Sequence, residues 1–187
     1  MEVRKAERYY TFDEWLVLDS DVKTELLDGE IVMMAEPAQA HHEVCGELFR
    51  QLANFLKGKP CKVYYEYAVR LSKQEHSGFV PDIIVVCDQS KLSDKKICDG
   101  APDVIIEVLS PSSVSYDKFT KFQRYQKAGV REYWIVHPEN KVIEVFTLEN
   151  GRYFADVYVC GEAAAVPVAV LEGCEIDLGD VFEGVEE

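Results

Sequence analysis

The sequence predicts one α/β domain over residues 1–187, with a central mixed β-sheet flanked by helices. Three observations predict it. Two nearly continuous apolar runs, "GFVPDIIVV" and "PDVIIEVLS", read as central strands covered on both faces. Runs with apolar residues at helical spacing lie before and after them. Three alternating runs then follow one another across short turns, as a meander does. A chain of 187 residues can bury a substantial core, and 48% hydrophobic with 29% charged residues separates it from disordered chains.

The elements follow in order. Thr11 and Glu14 in "TFDEW" fit a capping box, so a short helix begins there, with Trp15 and Leu16 as its apolar face. "KTELLDGEIVMM" is a hairpin turning at Asp28-Gly29. "PAQAHHEVCGELFRQLANFLKGKP" is a long helix. Val44, Leu48, Leu52 and Phe55 form its stripe, and Gly58 and Pro60 close it. "CKVYYEYAVRLS" alternates, with Val63, Tyr65, Tyr67, Val69 and Leu71 on one face of a strand.

The two central strands come next, separated by "QSKLSDKKICDGA", a polar stretch expected to be an exposed connection. "SPSSVSYDKFTKFQRYQKAG" is a second helix with a serine-rich entrance and Gly129 at its exit. "REYWIVHP", "KVIEVFTL" and "RYFADVYV" form the meander, with turns at Pro138-Glu139-Asn140 and Asn150-Gly151. The remainder reads as irregular, with one short strand between Ala165 and Leu171. There is no repeat, linker or low-complexity tract. No glycine-rich loop follows a strand, which argues against nucleotide-binding α/β folds.

Composition narrows the setting. No apolar run reaches the roughly 18–20 residues that a bilayer crossing needs. "MEVRKAERYYTFDEW" has no apolar signal-like core, so the expected compartment is the cytoplasm. Six cysteines without a CxxC pair are expected to be small buried hydrophobes rather than a disulfide framework or a zinc site. A net charge of −14 counts against loose polyanion binding, though not against a local basic patch.

Two acids stand out. Asp82 opens one central strand directly after a proline, and Glu107 lies inside the other. Brought within ~4–6 Å, two carboxylates repel unless a cation lies between them. A hard dication such as Mg²⁺, held by one or two carboxylates with phosphate oxygens, suits that arrangement. The alternative is structural: Asp82 capping a turn, and Glu107 paired with an arginine.

On the helix that follows, Asp117, Lys121 and Arg124 share a face with Tyr125 at its edge, while Phe119 and Phe122 point toward the core. Asp117 and Lys121 form either a surface ion pair or the wall of a site, where a lysine would steady a phosphate or a hydrolytic water. His41 at the start of the long helix and Glu25 in the hairpin are further candidates.

"TELLDGEIVMM", the His41-His42 pair, "FVPDIIVV", "GAPDVIIEVLSPSS" and "YDKFTKFQRYQKAGVREYWIVHP" together resemble the Uma-two family, a bacterial group assigned to the PD-(D/E)XK nuclease-like superfamily. The resemblance spans about Tyr10 to Phe146. It implies a restriction-endonuclease-like fold and a metal-dependent endonuclease acting on DNA, with Asp82 and Glu107 holding Mg²⁺ or Mn²⁺. The superfamily's lysine belongs two residues after the second acid, where this chain has Leu109. Lys121 is the natural substitute, and Glu25 and His41 lie in family-like segments. A nuclease also needs a basic rim, to which Lys57, Lys59, Lys62, Lys118, Lys121, Arg124 and Lys127 could contribute. The alternatives are an inactive nuclease-fold binding protein and a hydrolase of a small phosphorylated substrate. A homodimer through the meander strands is a further expectation.

Overall fold

A computed structural model of the chain describes residues 8–93, 96–110 and 114–185. Helix α1 (Phe12–Leu16) starts at the expected capping box: Thr11 Oγ1 accepts from the Glu14 N–H at 3.2 Å, and Glu14 Oε2 accepts from the Thr11 N–H at 2.9 Å. Phe12 and Trp15 pack with Leu26 and Ile97 in a small satellite core. Gly78 makes that packing possible. A Cβ there would overlap the Trp15 ring and stand 2.8 Å from Phe12 Cε2. Gly78→Ala is therefore expected to cost about 1–3 kcal/mol in urea unfolding. A loss below a few tenths would show that the two rings shift freely.

Strands β1 (Thr24–Leu27) and β2 (Glu30–Met33) form the hairpin, with Asp28 and Gly29 at φ 50° and 87° as a primed turn requires. Helix α2 (Gln39–Leu56) buries His41, Val44, Cys45, Leu48, Leu52 and Leu56; Val44, Leu48 and Leu52 are as the spacing predicts, while Leu56 rather than Phe55 completes the stripe. The main sheet contains β3 (Lys62–Tyr65), β5 (Ile83–Val86), β7 (Val104–Val108), β8 (Glu132–His137), β9 (Val142–Glu149) and β10 (Arg152–Val159). Its order is β10-β9-β8-β7-β5-β3. Only β7 and β8 run parallel, joined by helix, and every other neighbour is antiparallel. All residues of β5 and β7 are buried, as their unbroken apolar runs imply. α2 packs on one face with Ile83, Val85, Val104 and Ile106; Ile84, Val86 and Ile105 face the other core, with Tyr125 and Tyr133.

Several expectations are corrected. "CKVYYEYAVRLS" is not one strand. β3 ends at Tyr65 because its partner β5 ends opposite, at Ile83, and Glu66 turns the chain at φ 45°. Val69–Arg70 then form β4, which pairs in parallel with β6 (Cys98–Asp99). The stretch expected as an exposed connection thus holds a 3-10 turn (Gln89–Leu92) and β6, with Leu92, Ile97 and Cys98 buried. The end of the chain is more regular than its composition suggests. β11 (Ala165–Pro167) pairs with β12 (Glu175–Asp177), and α4 (Leu178–Val181) follows. Their apolar residues complete the α2 side of the core.

Cys61 and Cys87 form a disulfide, contrary to expectation. Lys62 faces Val86 in the β3–β5 pair, so one further step sets Cys61 against Cys87. Cys45, Cys98 and Cys174 are free and buried, as expected of small hydrophobes.

The second helix runs from a π-turn segment (Tyr116–Lys121) into α3 (Phe122–Ala128), which Gly129 ends at φ 86°. Ser112 and Ser113, the middle of its serine-rich entrance, lie outside the described residues. Phe122 packs against Tyr133, Phe146 and Tyr153, but Phe119 is 66% exposed and does not reach the core. The reason is the face opposite it. Lys121 and Tyr125 turn inward because the buried Glu107 carboxyl awaits them there, and Asp117 follows as a partner of the Lys121 ammonium.

Candidate active site

The site grows from the β5–β7 pair. Ile83 faces Ile106, so the next step outward sets Asp82 opposite Glu107. Pro81 stands just outside the strand, where its missing N–H costs no ladder bond. Directly opposed residues of such a pair have Cβ atoms about 4.5–5.5 Å apart, so two acids here are neighbours by construction.

Each acid is held differently. Asp82 Oδ2 accepts from the Val108 N–H at 2.8 Å and lies 3.2 Å from His41 Nε2, while Lys23 Nζ is 3.5 Å from Oδ1. Burial alone would raise the Asp82 pKa. The His41 ring, the Lys23 charge and the Val108 N–H outweigh it and hold that carboxyl below its ordinary value. Glu107 Oε1 accepts from Lys121 Nζ and from the Tyr125 hydroxyl, both at 2.9 Å. Burial, opposed by Lys121 and reinforced by Asp117, Asp82 and Glu25, pushes the Glu107 pKa up to about 8.

Lys121 is the hub of the inner cluster. Its side chain is 2% exposed, and its ammonium also lies 3.2 Å from Glu25 Oε1 and 3.1 Å from Asp117 Oδ1. Burial disfavours its charge, but Glu107, Glu25 and Asp117 outweigh that and keep its pKa well above the usual lysine range. Glu25 is fully buried, and its Oε1 also accepts from the Val80 N–H at 2.9 Å. The structure thus brings together Glu25, His41, Asp82, Glu107 and Lys121, with Asp117 beside them, whereas Arg124, expected on the same helix face, turns away to Asp28 and Glu75. His42 remains on the surface.

Lys23 and Glu66 also belong to the site, joined at 3.1 Å, and nothing in their sequence context marks them. Lys23 stands one residue before β1, and Glu66 occupies the kink after β3. The other basic residues do not add up to one rim. Lys118 pairs with Glu144, Lys127 with Glu75, and Arg124 with both Asp28 and Glu75, while Lys59 lies over the Phe55 ring.

These side chains surround an inner pocket of about 50 Å³, lined by Asp82, Glu107, Asp117, Lys121, His41 and Lys23 among others. It opens toward an outer chamber of about 320 Å³ with Met34, Pro37, His42 and Val80 in its walls. A divalent cation fits the donors present. Four buried carboxyl groups, Glu25, Asp82, Glu107 and Asp117, and the exposed Glu66 face two lysines in this network, a crowding of acids that a hard cation would relieve. Ligand atoms of His41, Cys45 and Asp82 also lie within 4.8 Å of one another. Burial raises the Cys45 thiol far above its ordinary pKa, so that sulfur is a poor donor beside the carboxylates.

Comparison with known proteins agrees with this architecture. The Uma2 family model, described as "Putative restriction endonuclease", matches residues 7–179. Two relatives come from Synechocystis sp. (strain ATCC 27184 / PCC 6803 / Kazusa). "Uncharacterized protein sll1609" is 24% identical over 152 residues, covering 80% of this chain and 86% of that protein. "Uncharacterized protein slr1290" is 26% identical over 125 residues, covering 66% and 65%. A crystal structure from Anabaena variabilis ATCC 29413, titled as a "putative nuclease belonging to DUF820", superposes with a TM-score of 0.75 at 22% identity. The match covers 92% of this chain and 97% of the other. At that identity the likeness speaks for the fold, which is the restriction-endonuclease-like α/β arrangement expected from the resemblance.

Proposed function

The chain belongs to the Uma2 family, and on that premise we propose a nuclease that hydrolyses phosphodiester bonds in DNA with Mg²⁺ or Mn²⁺. The observation that carries the reading is the opposed pair of Asp82 and Glu107 beside the buried Lys121. Asp82 and Glu107 would hold the cation. When bound, it would supply a Lewis acid for the phosphate and lower the pKa of a water.

The protein's own residues do the rest. His41 and the Val108 N–H fix the rotamer of Asp82, so that its carboxylate is aimed before substrate arrives. Tyr125 and Lys121 do the same for Glu107 through its Oε1. Glu25 and Asp117 hold the Lys121 ammonium in place against Glu107 at the pocket floor. The inner pocket is the smaller of the two and shares its walls with the outer chamber, so the reacting phosphate approaches the acids from the outer side.

The test joins cleavage to metal binding. Supercoiled plasmid and a short single strand are incubated with Mn²⁺ or Mg²⁺, and Mn²⁺ affinity is measured by calorimetry. The wild-type protein is expected to nick or cut DNA and to bind Mn²⁺ saturably, whereas Asp82→Ala and Glu107→Ala lose both. Equal cleavage by all three proteins would sink the reading. Activity on nucleotides without activity on DNA would instead favour a small phosphorylated substrate, which the −14 net charge suits better.

A further inference from the structure

We propose that Lys23, rather than the motif-like Lys121, is the cation that contacts the reacting phosphate. This rests on the nuclease reading of the pocket and deepens it. Among the described residues, Lys23 and Lys121 are the lysines that line the two chambers, and no arginine lines either. They are not equivalent. Lys121 is 2% exposed in its side chain and lies within 3.2 Å of three carboxylates, so reaching a ligand would strip it from all three. Lys23 is 31% exposed and has one hydrogen-bonded partner there, Glu66 at 3.1 Å, which is itself 41% exposed. The Lys23–Asp82 separation of 3.5 Å is electrostatic contact rather than a good hydrogen bond.

Position completes the argument. The chambers share Lys23, Met34, Ala35, Pro37, Glu66 and Val80, so these residues form the opening between them. A phosphodiester approaching from the outer chamber meets that opening, with its phosphorus toward Asp82 and its flanking nucleoside in the outer chamber. Lys23 is the cation at that point. Its ammonium exchanges an exposed glutamate for a non-bridging phosphate oxygen and keeps its proton throughout. Water supplies the hydroxyl that bonds to phosphorus. The bond to the leaving oxygen breaks, and that oxygen takes the remaining water proton. Lys23 thus acts by charge and hydrogen bonding on the phosphate itself, while Lys121 positions Glu107.

The experiment compares Lys23→Gln, Lys23→Arg and Glu66→Gln in the full-length protein. A fluorescein-labelled single-stranded octanucleotide is titrated in Ca²⁺, and cleavage of the same strand is followed in Mn²⁺. Lys23→Gln is expected to weaken binding by about 10-fold and to slow cleavage by roughly 100-fold or more, the usual loss for one donor aimed at developing charge. Lys23→Arg should recover most of both. Mn²⁺ affinity in Lys23→Gln should be unchanged or tighter, since a competing cation has left Asp82; a purely structural role would weaken it. Glu66→Gln should tighten octanucleotide binding by freeing the ammonium, and this arm decides the matter if Lys23→Gln folds poorly. Wild-type binding or cleavage in Lys23→Gln, or weaker binding in Glu66→Gln, overturns the proposal. Were the wild-type protein to cleave nothing, the nuclease reading would fail, and the binding arms would still judge Lys23.

Discussion

Lys121→Met is expected to destabilise the protein by about 3–5 kcal/mol at pH 8, the usual cost of leaving buried charge without its partner. The variant keeps the volume of the side chain but removes the only ammonium among Glu25, Glu107 and Asp117, each within 3.2 Å of it. At pH 5 Glu107, whose carboxyl burial already pushes up to about 8, holds a proton and leaves no charge of its own unpaired. The loss should therefore shrink there. Urea unfolding of wild type and variant at the two pH values checks this. A deficit under about 1 kcal/mol at pH 8 would mean that the carboxylates find other partners, and an equal deficit at both pH values would point to packing rather than charge.

Glu107→Gln gives the second large effect, with the opposite dependence. Glu107 has a folded pKa of about 8 against an ordinary value of 4.5. Between those values the folded state holds a proton that the unfolded state has released, so this group lowers stability as pH rises through the window. The slope is up to ~1.4 kcal/mol per pH unit. Glutamine resembles the protonated acid in shape and cannot ionise. The variant should match wild type near pH 5 and become progressively more stable than it toward pH 8, while losing cleavage throughout. Parallel stability curves for the two proteins would show that Glu107 is ionised across the range. Saturating Mn²⁺ should flatten the wild-type slope, since a bound cation favours the ionised carboxyl.

Much of this protein was legible along the chain. The Thr11–Glu14 capping box, the Asp28-Gly29 turn and the α2 stripe are local features, set by neighbours within a few residues, and the structure shows each of them. Asp82 and Glu107 were visible for a related reason. An acid among valines and isoleucines is costly, so its mere presence in an apolar strand announces a partner. Other features depended on which strands meet. The break after Tyr65 and the Cys61–Cys87 disulfide follow from β3 pairing with β5, and the buried β6 from pairing with β4, registers that no local pattern records.

The second helix shows the boundary most clearly. Helical spacing places Asp117, Lys121 and Arg124 on one face with Tyr125 at its edge, but after the π segment Tyr125 takes the inward position and Arg124 turns away. Which face turns inward is not a property of the helix. The usual preference would bury Phe119, yet it is exposed and Lys121 is buried. Glu107 and Glu25 reverse that preference, since a buried ammonium with three carboxylates offsets the desolvation that a lone lysine could not. The sequence by itself determined most of the elements, the family and the identity of the acids. Only the tertiary structure decided that Lys121 is the inner cation and that Lys23 stands at the opening, because charges separated along the chain acquire their roles from distance in space.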